Sequence, residues 1–519
     1  MGRVLTNNVN LSYSIETALG VAGTTWFLIE PNSINDFGAT ITTVARDPIS
    51  KNRQRRKGTV TDLDSAVEVD EDLTLSSFRD FIEGFCFATS INGDVTELAT
   101  TAAETATDTY AVAALSTAQA DKFEIDTLIW VENFSNSANN GLKTVDADIA
   151  GSAVAISVGE NLVDEAVAPA DATLSFTGHR IDAADTPTWT WDSGVNQATL
   201  SETGLGTLLQ ALGLTLGQMV HIGSIAAAGD TTIINAFETS AANDMFGYAR
   251  VYEFTDADNI VFDKVDAALQ FTDGTAPSTD VDVLFGEFIR NVPTDDSDYL
   301  ERSFQFEAEF PSLDAGGNAE YQYALGNYCN TASFNLPLTD KATITYGFIG
   351  TDTEDPVVAA SRKTGASAAT DPLNTAAFNT SADIARLRVT EVDETGLTTD
   401  FKSLTMTLNN SVSAEKVIGQ LGAKFLNTGN FEVDIEAQLI FTEGLVIDRI
   451  RSNDTVTMDF VVKNDDGIIV IDIPSMTLGG GDREFPVNES VLINTTAQAF
   501  QDNRLNTSIG VSLIPIPLP

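Results

Sequence analysis

Residues 66–75 read AVEVDEDLTL, and residues 431–441 read FEVDIEAQLIF. In the first stretch Val67, Val69, Leu73 and Leu75 share one face, interrupted by Glu71. In the second, Phe431, Val433, Ile435, Ala437, Leu439 and Phe441 do the same. Period-two alternation marks a strand with one buried face and one wet face. Both wet faces are acidic, carrying Glu68, Asp70 and Asp72 in one stretch and Glu432, Asp434 and Glu436 in the other.

The surroundings of these stretches recur as well. Ahead of each lies a strand-like run and a loop: GATITTV (38–44) before residues 46–66, and KSLTMTL (402–408) before residues 409–430. Behind each lies a short helical piece. SSFRDFIEGF (76–85) sets Phe78, Phe81, Ile82 and Phe85 at helical spacing, with Ser77 and Asp80 as a capping box, and LVIDRIR (445–451) is its counterpart. Strand pairs follow: SFQFEAEF and ASFNLPLTDKATITYGFIG in the first copy, VTMDFVVKNDDGIIVIDI and ESVLINTTAQAF in the second. Within the last of these hairpins, Asp466-Gly467 predicts a tight primed turn. Element order agrees while residue identity is poor, which reads as two copies of one β-rich domain.

The first copy then spans residues 1–95 and 296–350, and the second 385–519. Residues 96–180 and 181–295 are expected as two small inserted β modules. They share an F-x-x-S-A-N core that sets Phe134, Ser137, Ala138 and Asn139 against Phe237, Ser240, Ala242 and Asn243. Residues 351–384, rich in Ala, Thr, Asp and Ser, read as a linker or surface arm.

The chain of 519 residues carries 75 acidic and 28 basic side chains, a net charge of −47. Such a balance excludes general nucleic-acid affinity and docking on anionic membranes. It fits solubility, a saline habitat or a surface that repels DNA. The insert alone holds 30 acidic and 6 basic residues, a net −24. Against this background, Arg46, Lys51, Arg53, Arg55, Arg56 and Lys57 fall within ARDPISKNRQRRK (45–57). Interleaved aromatics are missing from it, so single-strand binding is disfavoured. A cationic loop on an anionic protein suits a head-to-tail contact with another copy, the geometry of rings and filaments.

Chemistry is sparse. His179 and His221 lack metal-ligand spacing, Cys86 and Cys329 read as buried small hydrophobes, and no P-loop, dinucleotide fingerprint or nucleophile elbow appears. No catalytic residue, metal site or cofactor is expected. The N-terminus lacks a signal-peptide core and no apolar run reaches ~20 residues, so cytosolic synthesis and no membrane-spanning helix are expected. An acidic extracellular β-scaffold glycan hydrolase is the alternative, because acidic β proteins offer many carboxylate pairs. A membrane barrel would need apolar bands and aromatic girdles.

Residues 30–85, the F-x-x-S-A-N modules, FGYARV (246–251) and FKSLTMTLNNSVSAEKVIGQLGA (401–423) resemble the tail tube family of long-tailed bacteriophages. The resemblance implies a mainly β fold: two tail-tube-type β-sandwich or barrel domains, each with a flanking short α-helix, plus the inserted modules. It implies a virion protein of a non-contractile tail that stacks as rings around a conduit for double-stranded DNA. Two copies per chain imply three chains per ring with pseudo-sixfold symmetry. The expected partners are other copies of the chain and tail proteins such as the tape measure, terminator and distal tail proteins, with DNA passing unbound. Arg46, Lys51, Arg53, Arg55, Arg56 and Lys57 become the ring-stacking loop. Glu68, Asp70, Asp72, Glu432, Asp434 and Glu436 become candidates to face the lumen.

Overall fold

Both alternating stretches fold as strands, and the structure is mainly β. The computed structural model describes residues 4–49, 51, 54–104, 107–149, 155–225, 233–234, 246–270, 280–311, 319–373, 375–391, 396–398, 400–442 and 444–516. A first unit comprises β1 (Asn10–Ala18), β2 (Ser33–Arg46), β3 (Arg56–Asp72), α1 (Phe78–Cys86), β4 (Phe304–Phe310), β5 (Glu320–Leu336) and β6 (Thr343–Gly350). A second comprises β7 (Ile384–Glu391), β8 (Phe401–Asn409), β9 (Glu432–Ile440), α2 (Leu445–Ser452), β10 (Thr455–Asn464), β11 (Gly467–Glu484) and β12 (Leu492–Ala499).

The two units pair their strands identically. In the first, β1 joins β4, β4 joins β5, β5 joins β6, β6 joins β3 and β3 joins β2, all antiparallel. In the second, β7 joins β10, β10 joins β11, β11 joins β12, β12 joins β9 and β9 joins β8. The long strands β5 and β11 serve two layers, one half pairing in each. One further ladder fuses the units: Thr331–Leu336 of β5 lies antiparallel to Leu404–Asn409 of β8. A continuous sheet therefore runs β2-β3-β6-β5-β8-β9-β12-β11.

The apolar phase of that sheet faces one core spanning both units, from Val67, Phe81, Phe306 and Phe348 to Met406, Ile435, Met458 and Ile471. Helix α1 lies so close to it that a Cβ at Gly84 would stand 2.6 Å from the Phe304 ring. Glycine is required there by approach, not by backbone angle. The expected capping box does not form. Ser77 Oγ instead donates to the buried Glu71 Oε2 at 2.6 Å, because a carboxylate inside a core needs a donor more than a helix end does. Asp80 accepts from the Tyr13 hydroxyl at 2.8 Å. The β10–β11 turn also shifts by one residue. Asn464 faces Gly467 across the ladder, so the two loop residues are Asp465 and Asp466, neither with positive φ. The Asn464 side chain holds the turn by accepting from the N–H groups of Asp466 and Gly467.

Between α1 and β4 a second large sheet forms, with its own core around Phe176, Trp189, Leu200, Phe262 and Val283. The stretches 96–180 and 181–295 share it, since the strand Thr173–Ile181 pairs with both Thr127–Glu132 and Val281–Leu284. Residues Glu287–Arg290 leave it to pair with the C-terminal strand β13 (Gly510–Ile514), itself paired with β11. Phe134 and Asn139 of the first F-x-x-S-A-N core are buried, while Phe237, Ser240, Ala242 and Asn243 lie outside the described residues.

The insert docks on the outer face of the second unit. Leu128, Leu142, Met219 and Tyr248 pack against Val461, Ile468, Val470 and Ile514. Beside them lies a buried ionic network. Arg250 bridges Asp263 at 2.6 Å and Asp472 at 2.9 Å, Lys264 reaches Asp472 and Asp459, and Arg386 and Arg388 close on Asp459. Burial would push the Asp472 carboxyl up, but Lys264 and Arg250 hold it below its usual range. Residues 351–384 run along the first unit as a strap. Phe378 is fully buried, Trp26 Nε1 donates to the Thr364 carbonyl at 3.2 Å, and Arg362 holds the buried Glu307.

Candidate assembly surfaces

Strands β2 and β3 pair from Ser33 and Asp70 out to Arg46 and Arg56, so the predicted loop 46–66 is mostly ladder and its turn is only 47–55. Outward of Leu63 the two strands form a free ribbon in which residues 40–46 and 56–61 are part- or fully exposed, mostly the latter. A two-stranded ribbon is marginal alone in water, so a projection this long needs something to lean on. Its tip is cationic. Arg46, Lys51, Arg55, Arg56 and Lys57 are all exposed, and Arg46 stands directly across from Arg56, an unfavourable pairing for an isolated ladder. Arg55 meets one local anion, Asp47, at 3.2 Å. Arg53 lies outside the described residues. Ile41, Val44, Ile49 and Val60 add exposed apolar surface along the ribbon.

The corresponding segment of the second unit is anchored at its base, while residues 413–421 are exposed. Val412, Ala423 and Leu426 tuck against Phe87 and Tyr328. Lys416 Nζ donates to Asp62 and Asp64, each at 2.6 Å, tying this loop to the base of the first unit's ribbon.

The continuous sheet turns its second face to solvent, and the ladder registers arrange that face in transverse rows. One row runs Ser33, Asp70, Thr345, Ser333, Thr407, Asp434, Gln498, Thr477. The next on one side runs Asp36, Glu68, Gly347, Thr331, Asn409, Glu432, and on the other Asp72, Thr343, Asn335, Thr405, Glu436, Thr496, Gly479. All six acidic residues singled out from the sequence thus share one face, and none of the residues in these rows is basic or aromatic.

Both edges of the sheet are open. Among the described residues β2 pairs only with β3, and Leu478–Glu484 of β11 pair only with β12. Two features soften the edges: a register shift between Ile34 and Asp36, and a bulge at Gly480–Asp482, where Gly480 and Gly481 have φ of 76° and 99°.

The histidines and cysteines are interior residues. Burial lowers the pKa of His179 to about 4 and of His221 to about 3, leaving both neutral. Cys86 and Cys329 are free and buried, the Cys86 thiol pushed up to about 12. Among the described residues no group of three or more His, Cys, Asp or Glu could hold a metal ion, and no helix is long and apolar enough to cross a membrane.

Residues 265–486, from the end of the inserted sheet through β4–β6 to β11, match the family described as phage tail tube protein. Over these residues the chain is similar to that family. It contains the seam between β5 and β8, the acidic face of β9 and the open edge of β11. No curated protein matches the chain. The family supports a structural component of a phage tail.

Sequence reasoning noted Glu71 as an interruption without drawing its consequence, and it missed the buried carboxylates of the second unit. Glu71 sits on the buried phase of β3, and Asp459 and Asp472 sit within apolar strands. The signal was available: a carboxylate flanked by β-branched and aromatic residues, as in VTMDFVV and IIVIDI, must find a cation or a donor inside.

Proposed function

We propose that this chain is the major subunit of a non-contractile phage tail tube, without catalysis, and that three copies close into a pseudo-sixfold ring. The observation that carries this reading is the β5·β8 seam, a sheet-to-sheet junction between two equivalent units inside one polypeptide. In the second unit β11 is the equivalent of β5, and in the first unit β2 is the equivalent of β8. The open edge of β11 therefore meets the open edge of β2 of the next chain by repeating the internal seam. Transferring its register pairs Leu478 with Phe37 and Gly480 with Ile34, and the two edge irregularities then face each other.

Eight strands per chain in three chains, at ~4.8 Å spacing and ~40° tilt, give a barrel of roughly 48 Å backbone diameter. Two chains would give about 32 Å, too narrow once side chains line both walls. The acidic rows line the bore, so a DNA duplex meets a wall that repels it and has no basic residue within those rows. The basic ribbon projects toward the adjacent ring, and the tube joins other proteins of the tail at its ends.

The test is a double-cysteine chain, Phe37→Cys with Leu478→Cys. Mild oxidation is expected to yield covalent trimers, and stacked rings are expected by electron microscopy. The shifted pair Ala39→Cys with Leu478→Cys is expected to stay monomeric in denaturing gels. Equal cross-linking of both pairs, or none in either, would sink the register.

A further inference from the structure

The first unit has a second distinctive feature, at the end of β3 away from the ribbon tip. Leu28, Glu30, Glu71, Asp72, Ser77 and Thr375 help line a notch of about 140 Å³. Glu71 is 5 % exposed, and its Oε1 has no hydrogen-bond partner among the described residues, nor has Thr375 Oγ1. Burial, reinforced by Asp70, Asp72 and Glu30, raises the Glu71 carboxyl to about 7 although Ser77 donates to it. Asp72 already holds Lys341 at 2.6 Å. A carboxylate oxygen left unpaired inside an acidic notch is a site for an incoming cation.

We propose that the basic tip of the β2–β3 ribbon of one ring seats in this notch on the adjacent ring, placing a lysine or arginine head group on Glu71. The proposal rests on the stacked-ring reading. Three arguments favour a second copy of this chain as the occupant. Tip and notch lie at opposite ends of the same strands, roughly 55 Å apart for the 17 residues of β3, so a head-to-tail contact repeats without limit. Their charges are opposite in a protein otherwise short of cations. Finally, tip and notch occur together on the first unit, and among the described residues the second has neither a comparable cationic tip nor an acidic notch. There the loop is folded down, and Ala437 stands where Glu71 would be. A ring of three chains would then offer one notch for every tip.

The experiment uses the full chain. Glu71→Gln removes the charge while keeping a group that Ser77 can bond. It is expected to raise the protein concentration needed for stacking roughly tenfold, as loss of a charge-assisted contact should. Covalent trimers through Phe37→Cys and Leu478→Cys should still form. A second pair, Lys51→Cys with Thr74→Cys, is expected to link chains into ladders longer than one ring. Stacking of Glu71→Gln at the wild-type concentration together with no such ladder would mean that the notch holds solvent only, and the proposal falls while the ring stands. Failure of the Phe37–Leu478 trimer as well would remove the ring itself.

Discussion

The two units share the same run of five ladders yet differ at both ends. The first sends out a cationic ribbon and buries Glu71 at the opposite end. The second folds its loop onto the first unit's ribbon and places Ala437 at the site equivalent to Glu71, beside a small apolar void lined by Val389, Phe401, Leu439 and Met458. Their outer faces differ too. The buried Glu307 of β4 is answered by Arg362 of the strap, and the buried Asp459 of β10 by Lys264, Arg386 and Arg388. The lesson is that sheet geometry and contact chemistry separate after duplication. On the ring reading proposed above, the ladder that would close a barrel has to stay alike in both copies, whereas axial contacts would need only one copy of each part.

The largest effect should come from the ribbon. Arg55→Glu with Arg56→Glu is expected to leave the unfolding midpoint unchanged, because both side chains are exposed, and to abolish tubes in sedimentation and electron microscopy. The matching change in the second unit, Lys424→Glu, should leave tubes intact. If both changes abolished stacking alike, the contrast between the units would fail.

Next comes the outer face of the second unit. Lys264→Met leaves Asp459 and Asp472 short of a buried cation, and the loss should be about 3–5 kcal/mol. Denaturant unfolding should show it, with the insert becoming sensitive to protease before the tube units do. A drop below about 1 kcal/mol would mean that Arg250, Arg386 and Arg388 suffice.

Much of this contrast is legible in the sequence alone. Period-two alternation at Val67, Val69, Val433 and Ile435 is a local property of strands, so the duplicated sheet and its acidic face could be read directly. Cation density marked the ribbon tip. Other features depended on what lies across space. Ser77 looked like a helix cap because Asp80 stood at the right spacing, but the deciding neighbour was Glu71 on another element. The strap looked featureless because its partners Trp26, Leu73 and Glu307 lie far away in sequence. Insert strands that read as two modules share a sheet through pairings such as His179 with Val283, which no local pattern encodes.

Glu71 gives a smaller, pH-dependent effect. Its folded pKa of about 7 lies above the ordinary value of 4.5, so between these values the folded state holds more protons than the unfolded one. Stability of the isolated chain therefore falls as pH rises from about 4.5 to 7. Glu71→Gln should raise stability at pH 8 by up to about 3 kcal/mol and by much less at pH 4.5. Burial is the main cause of this shift; Ser77 opposes it by hydrogen bonding, Asp70, Asp72 and Glu30 add to it, and Tyr13 and Tyr346 lie close by. Thermal unfolding of dilute, unassembled chain at both pH values measures it. A gain in protomer stability alongside weaker stacking would separate a carboxylate kept for contact from one kept for folding.

The smallest effect tests why the second loop stays down. Lys416 bonds Asp62 and Asp64 in the open, its own pKa raised and that of Asp62 lowered by the contact. Exposed pairs of this kind are screened and contribute little. The apolar tuck of Val412, Ala423 and Leu426 carries the loop's position instead. Lys416→Ala should therefore leave the unfolding midpoint and the tubes unchanged, and the loop should resist protease as before. Leu426→Asp should expose it to cleavage around residues 416–425 without disturbing the β5·β8 seam. If Lys416→Ala alone released the loop, the folded-down state would be an electrostatic latch, and the second unit would be able to project a loop just as the first does.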